Sequence, residues 1–173
     1  MANMKNIPWK KSERFERIGR FKLSAVPAEI FPLLCPVLEY DWLPGWTCTM
    51  YFSDCGFAEK DAIFHTRENL GKKVVWTCIA YEPDTFIEYL MVSGTDAVVR
   101  LSIRLEGGGG GVDTGGIKRG TEVTWRMLFT LTSSISIKVL GKAFSEAAFN
   151  KMMTNRKREL QYYLDDGRLI GIG

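Results

Sequence analysis

Six consecutive segments of this chain read as β-strands, and one long amphipathic helix follows them; no other feature limits the possible folds so strongly. The segments are Trp46–Ser53, Ala62–Arg67, Lys73–Glu82, Thr85–Val92, Asp96–Glu106 and Thr121–Thr132. Each is rich in Val, Ile, Thr and aromatic residues and is bounded by Gly, Pro, Asp or Asn. Links such as Glu82-Pro83-Asp84 and Ser93-Gly94-Thr95 are too short for a parallel crossover, so the neighbours are antiparallel. The alternation is cleanest in the last two strands. Val99, Leu101, Ile103 and Leu105 alternate with Arg100, Ser102 and Arg104, while Val123, Trp125, Met127, Phe129 and Leu131 alternate with Glu122, Thr124, Arg126 and Thr130. Such a sheet has one buried face and one wet face.

A further strand is expected at the start, over Arg14–Ala25, followed by a helix entry at Ser24-Ala25-Val26-Pro27-Ala28-Glu29. Pro32 and Pro36 break that helix, so a kinked piece from about Pro27 to Leu38 is predicted. The stretch Gly107–Gly120, GGGGGVDTGGIKRG, is expected to be a flexible hairpin loop. It lacks the Lys-Ser/Thr and the following helix that a phosphate-binding loop requires. Past Thr132 the helical period takes over. Ser133–Gly141 is a first piece that Gly141 is expected to interrupt, and Ser145 caps a second that runs to about Asp166 and ends at Gly167. Phe149, Met152, Met153, Leu160, Tyr163 and Leu164 form its apolar stripe.

The fold class that follows is α+β: a curved seven-stranded antiparallel sheet wrapped around a long C-terminal helix, with short helices after the first strand. Residues 1–13 form an N-terminal extension, 14–170 a single domain, and 107–120 its flexible glycine-rich loop. A sheet with one apolar face must cover it, and only the last helix is long enough. A curved sheet gripping one helix tends to leave a concavity between them, the kind of place where small ligands bind.

Composition narrows the function classes. The net charge of +3 is small, and Lys and Arg are dispersed, unlike the basic stripe of a nucleic-acid binder. No segment approaches the length of apolar chain that spans a membrane, and MANMKNIPWKKSERFER lacks the apolar stretch of a signal peptide. Cys35, Cys48, Cys55 and Cys78 show no CxxC spacing and have a single histidine for company, so no metal site and no cofactor is expected. Free thiols suit a reducing, cytoplasmic protein, expected to be a monomer or homodimer.

Phe21-Lys22-Leu23-Ser24-Ala25-Val26-Pro27-Ala28-Glu29-Ile30-Phe31 resembles the first strand and helix entry of the START-like superfamily, also called SRPBCC. Its members include polyketide cyclase/dehydrase-type and pollen-allergen-type helix-grip proteins. Phe31–Pro36 and Trp42-Leu43-Pro44-Gly45-Trp46 are similar to an uncharacterised bacterial subgroup, and the closing helix, ending Tyr162-Tyr163-Leu164-Asp165-Asp166-Gly167, also fits. The resemblance covers roughly Phe15–Leu169. It implies the helix-grip fold and a hydrophobic cavity between sheet and helix, in a superfamily that carries lipids, hormones and polyketides and includes some enzymes.

Candidate ligand contacts begin with the large rings Trp42, Trp46, Trp76, Tyr89, Trp125 and Phe149, which offer apolar surface and N–H or O–H groups to orient a ligand. Met153 adds an adaptable thioether on the helix. Arg156 shares the helical phase of Phe149 and Leu160 and so points towards the sheet. There it either holds a ligand carboxylate or phosphate, or pairs with a strand acid such as Glu88, or reaches the pocket rim. His65, the only histidine, and Tyr89 are the candidates for proton transfer. Glu88, Asp96, Arg100 and Glu122 read as the solvated sheet face, which leaves paired-carboxylate hydrolysis unsupported. The expected function is binding, transport or sensing of a small apolar or amphipathic molecule. The alternative is a cyclase, dehydratase or isomerase using His65 or Tyr89.

Overall fold

The computed structural model describes residues 12–67, 73–107 and 120–170. Residues 1–11 of the expected extension and 108–119 of the expected glycine loop lie outside the described residues. The strands are β1 (Glu13–Leu23), β2 (Cys48–Phe52), β3 (Ile63–Arg67), β4 (Lys73–Glu82), β5 (Phe86–Ser93), β6 (Ala97–Gly107) and β7 (Thr121–Leu131). They form one antiparallel sheet in the order β1-β7-β6-β5-β4-β3-β2. Strands β2 to β7 pair in sequential order, and the links β4–β5 and β5–β6 are only three residues long. The first strand instead closes the far edge against β7. Register breaks at Met50/Phe52 and Cys78/Ala80 bend the β2–β5 end of the sheet.

The predicted alternation sets the core. Val99, Leu101, Ile103 and Leu105 of β6 are buried beside Val123, Trp125, Met127, Phe129 and Leu131 of β7, with Leu101 opposite Met127 and Ile103 opposite Trp125. On the other face Arg100 and Arg104 are exposed. Glu88 departs from the expected solvated row. It is buried on that outer face, where its carboxylate accepts from the Arg100 guanidinium at 2.7 Å and the Ser102 hydroxyl at 2.7 Å. The pairing follows from register, since Ser102 lies directly opposite Glu88 and Arg100 is its diagonal neighbour.

The proline-rich segment after β1 breaks as predicted. α1 (Pro27–Ile30) gives way to 3-10 turns at Phe31–Leu34 and Glu39–Asp41. Pro32 and Pro36 supply no N–H, so an α-helical ladder cannot form and carbonyl groups are left to find other donors. Three aromatic side chains provide them. The Trp42 indole donates to the Leu33 carbonyl at 2.7 Å, the Tyr89 hydroxyl to Leu34 at 3.0 Å and the Trp46 indole to Pro36 at 2.8 Å.

Helix α2 (Ser134–Ala143) runs through Gly141, contrary to the expected interruption there. A helical glycine costs only about 1 kcal/mol relative to alanine, which neighbouring hydrogen bonds and packing offset. The helix ends instead at Phe144, whose ring packs on Phe129 with centroids 4.7 Å apart. Ser145 then caps α3 (Glu146–Asp166) by accepting from the Ala148 N–H, and Gly167 closes it at φ 66°, a left-handed conformation suited to glycine. Its buried residues are Phe149, Met153, Glu159 and Leu160.

Close approach of α3 to β1 depends on Gly19. A β-carbon there would stand 2.7 Å from Met153 Sδ and closer still to its Cγ. Gly19→Ala is therefore expected to destabilise the fold by about 1–3 kcal/mol, the usual range for overpacking. Adding Met153→Ala in the same chain should recover part of that loss. Urea titration of the single and double variants checks the coupling, and purely additive costs would contradict it.

Candidate functional site

A cavity of about 140 Å³ lies between the sheet and α3. Phe64, Trp76 and Tyr89 line it from β3–β5, and Leu101, Ile103, Trp125 and Met127 from β6 and β7. The broken helical segment adds Leu34, Pro36 and Glu39, and the turn after it adds Leu43 and Trp46. Phe144, Met152 and Arg156 form the helical side. The walls are overwhelmingly apolar because the strands send alternate side chains inward and those positions carry large hydrophobes.

Among the residues singled out from the sequence, Trp46, Trp76, Tyr89, Trp125 and Arg156 thus come together around the cavity. Trp42, Phe149 and Met153 do not line it; they are buried in the core beside it. His65 is elsewhere. It neighbours Phe64 on β3, so the two-residue period turns it to the opposite sheet face, opposite Thr49 and Val75. There Tyr51 covers it with ring centroids 4.8 Å apart, and it lines a separate polar pocket with Tyr40, Thr49 and Arg67.

The polar tips of the rings are mostly committed. Trp42, Trp46 and Tyr89 donate to backbone carbonyls, as described, and the Trp76 indole donates to Thr66 Oγ1 at 2.9 Å. Tyr89 is poorly suited to proton transfer for a second reason, because burial pushes its hydroxyl well above its ordinary pKa. The Trp125 indole N–H differs from the rest. It is wholly buried and has no acceptor among the described residues.

Arg156 does not pair with Glu88, whose carboxylate is taken by Arg100. Its guanidinium pairs with Glu159, one turn along α3, at 2.8 Å and lies 5.9 Å from the centre of the Trp42 ring. The helical phase was legible in the sequence; the intrahelical partner wins because Glu159 at i+3 is already beside it.

The sequence reading missed Glu39. It sits in the second 3-10 turn and lines the cavity, and its carboxyl makes no hydrogen bond or ion pair with a described residue. Burial strips its carboxyl of water and lifts the pKa from 4.5 to about 8, against the lowering influence of Arg156. Near neutral pH it is therefore largely a neutral acid. The signal in the sequence was faint: Glu39 and Asp41 both lie between Pro36 and Trp42, in a segment without a periodic pattern that would tell which of them turns inward.

All four cysteines are free thiols. Burial raises the pKa of Cys35 and Cys48 and pushes that of Cys78 up to about 12, so none of these three is an activated nucleophile. Among the described residues no three His, Cys, Asp or Glu side chains converge as a metal site would need, and no helix is long and apolar enough to cross a membrane.

No protein-family model and no curated protein matches the sequence. Solved structures do match the fold. Norcoclaurine synthase from Thalictrum flavum, in complex with dopamine and hydroxybenzaldehyde, is 14% identical at a TM-score of 0.60, covering 90% of this chain and 89% of that one. A protein from Mesorhizobium loti is 15% identical at a TM-score of 0.56, covering 87% of this chain and 97% of the other. DynU16, a protein of the dynemicin biosynthetic locus, is 13% identical at a TM-score of 0.55, covering 88% of this chain and 48% of its own. At such identities the likeness speaks for architecture alone. The chain has the helix-grip fold, a curved seven-stranded antiparallel sheet closed around a long C-terminal helix.

Proposed function

We propose that this protein binds a small apolar or amphipathic molecule between the sheet and α3, as a carrier or sensor. One observation carries the reading: a cavity of about 140 Å³ with mainly apolar walls. An apolar cavity of about 150 Å³ stays dry and accepts benzene, so the volume suits a ligand built on a single ring. The START-like resemblance and the fold neighbours support the same class. Dopamine and hydroxybenzaldehyde, found with norcoclaurine synthase, are molecules of that size. Binding has better support than catalysis through His65 or Tyr89, since His65 faces the other side of the sheet and the Tyr89 hydroxyl donates its hydrogen bond to the Leu34 carbonyl.

Ethylbenzene tests the proposal by calorimetry. The unmodified protein is expected to bind it, and Met127→Trp, which fills the cavity from β7, is expected to abolish binding while urea titration shows the chain still folded. Equal binding by the filled variant would place the ligand elsewhere and end the reading.

A further inference from the structure

The donors left in the cavity indicate what the ligand carries, an inference that rests on the binding reading above. We propose that the ligand is a neutral molecule of about one ring with an acceptor oxygen, and that the Glu39 carboxyl and the Trp125 indole N–H are the two donors offered to it. Trp125 is only 6% exposed, and its N–H has no acceptor among the described residues. A buried donor in that state is costly, and a ligand oxygen would relieve the cost. Glu39 lines the same cavity, and its carboxyl is likewise without a hydrogen-bond partner among the described residues. As a neutral acid it donates an O–H.

Charge excludes the obvious rival, an anionic ligand held by Arg156. That guanidinium is already balanced by Glu159 at 2.8 Å. An added carboxylate would bring a second negative charge to a largely desolvated site, where unbalanced charge is expensive.

The groups that face Glu39 electrostatically are Arg156 from α3, Tyr89 from β5, and Cys35 and Cys48 from the segments flanking its own turn. Burial shifts Tyr89 and both thiols upward, so they stay neutral where Glu39 titrates. Glu39 is thus the group whose ionisation changes the cavity between pH 6.5 and 9.5, the range bracketing its pKa of about 8. Once ionised it loses the donor and repels an acceptor oxygen, so binding should weaken as pH rises.

The test compares three probes of one shape by calorimetry: acetophenone, ethylbenzene and benzoate. At pH 6.5 acetophenone is expected to bind at least about tenfold more tightly than ethylbenzene or benzoate, the scale of one buried hydrogen bond. At pH 9.5 its advantage over ethylbenzene should fall several-fold. Glu39→Gln, whose amide still donates, should remove the pH dependence and keep the preference; Glu39→Leu should lower the preference at both pH values to what the Trp125 N–H alone supplies. Trp125→Phe should lower the acetophenone-to-ethylbenzene ratio even where the enlarged cavity changes both affinities. If ethylbenzene binds and acetophenone shows no advantage, or if benzoate binds best, the donor assignment is overturned while the cavity reading stands. If none of the three binds, the cavity reading itself fails.

Discussion

Glu39→Gln is expected to stabilise the protein at alkaline pH and to leave it nearly unchanged at pH 4.5. The sign follows from linkage. A carboxyl lifted from 4.5 to about 8 on folding holds its proton more tightly in the folded state. Its stabilising protonation is fully present below 4.5 and is lost as pH rises through about 8. The wild-type chain should therefore lose stability relative to the Gln variant by up to about 1.4 kcal/mol per pH unit across that window. The full shift corresponds to at most about 5 kcal/mol. Water entering the cavity and the nearby Arg156 charge reduce it, so a difference of about 2–4 kcal/mol at pH 9 is the expected result. Urea titrations of both proteins at pH 4.5, 7 and 9 measure it. A flat difference across the three pH values would show that Glu39 is hydrated and ordinary. Ion-paired carboxylates give the reverse slope, so the experiment also separates a cavity acid from a structural ion pair.

The second large effect belongs to Trp42. Its side chain is fully buried, donates to the Leu33 carbonyl and lies beneath the Arg156 guanidinium. Trp42→Ala leaves a cavity that costs about 3–5 kcal/mol and deprives the Leu33 carbonyl of its donor, worth about 1–3 kcal/mol more. Trp42→Phe keeps most of the volume and loses the bond, so about 1–3 kcal/mol is expected for it. Denaturation midpoints at one pH compare the two. A loss below about 1.5 kcal/mol for the alanine variant would mean that the helical turns are anchored some other way. Because Glu39 lies in the turn that runs directly into Trp42, the alanine variant should also perturb the cavity.

The two residues illustrate where a sequence is informative. Trp42 was singled out as a pocket ring, yet its indole is spent on a carbonyl that Pro32 and Pro36 help to orphan. Both prolines were visible in the chain; which donors would reach the carbonyls was not, since Tyr89 arrives from a strand 55 residues away. His65 is the opposite case. The alternation of Ala62, Phe64 and Thr66 against Ile63, His65 and Arg67 already separates it from the apolar row. Register then places it across from Thr49 and under Tyr51. Glu88 has the polar position expected of it but not the exposure, because Arg100 and Ser102 close over it.

From the sequence alone came the elements and the antiparallel sense of the short-linked strands: period-two strands with short links must lie antiparallel, and a single long amphipathic helix must cover the apolar face they share. Those are local consequences of side-chain alternation and loop length. The tertiary structure decided the chemistry of the cavity. Glu39 becomes a neutral acid and Trp125 an unmatched donor only because distant elements fold over them and exclude water, and neither desolvation nor the absence of a partner is written in the residues on either side.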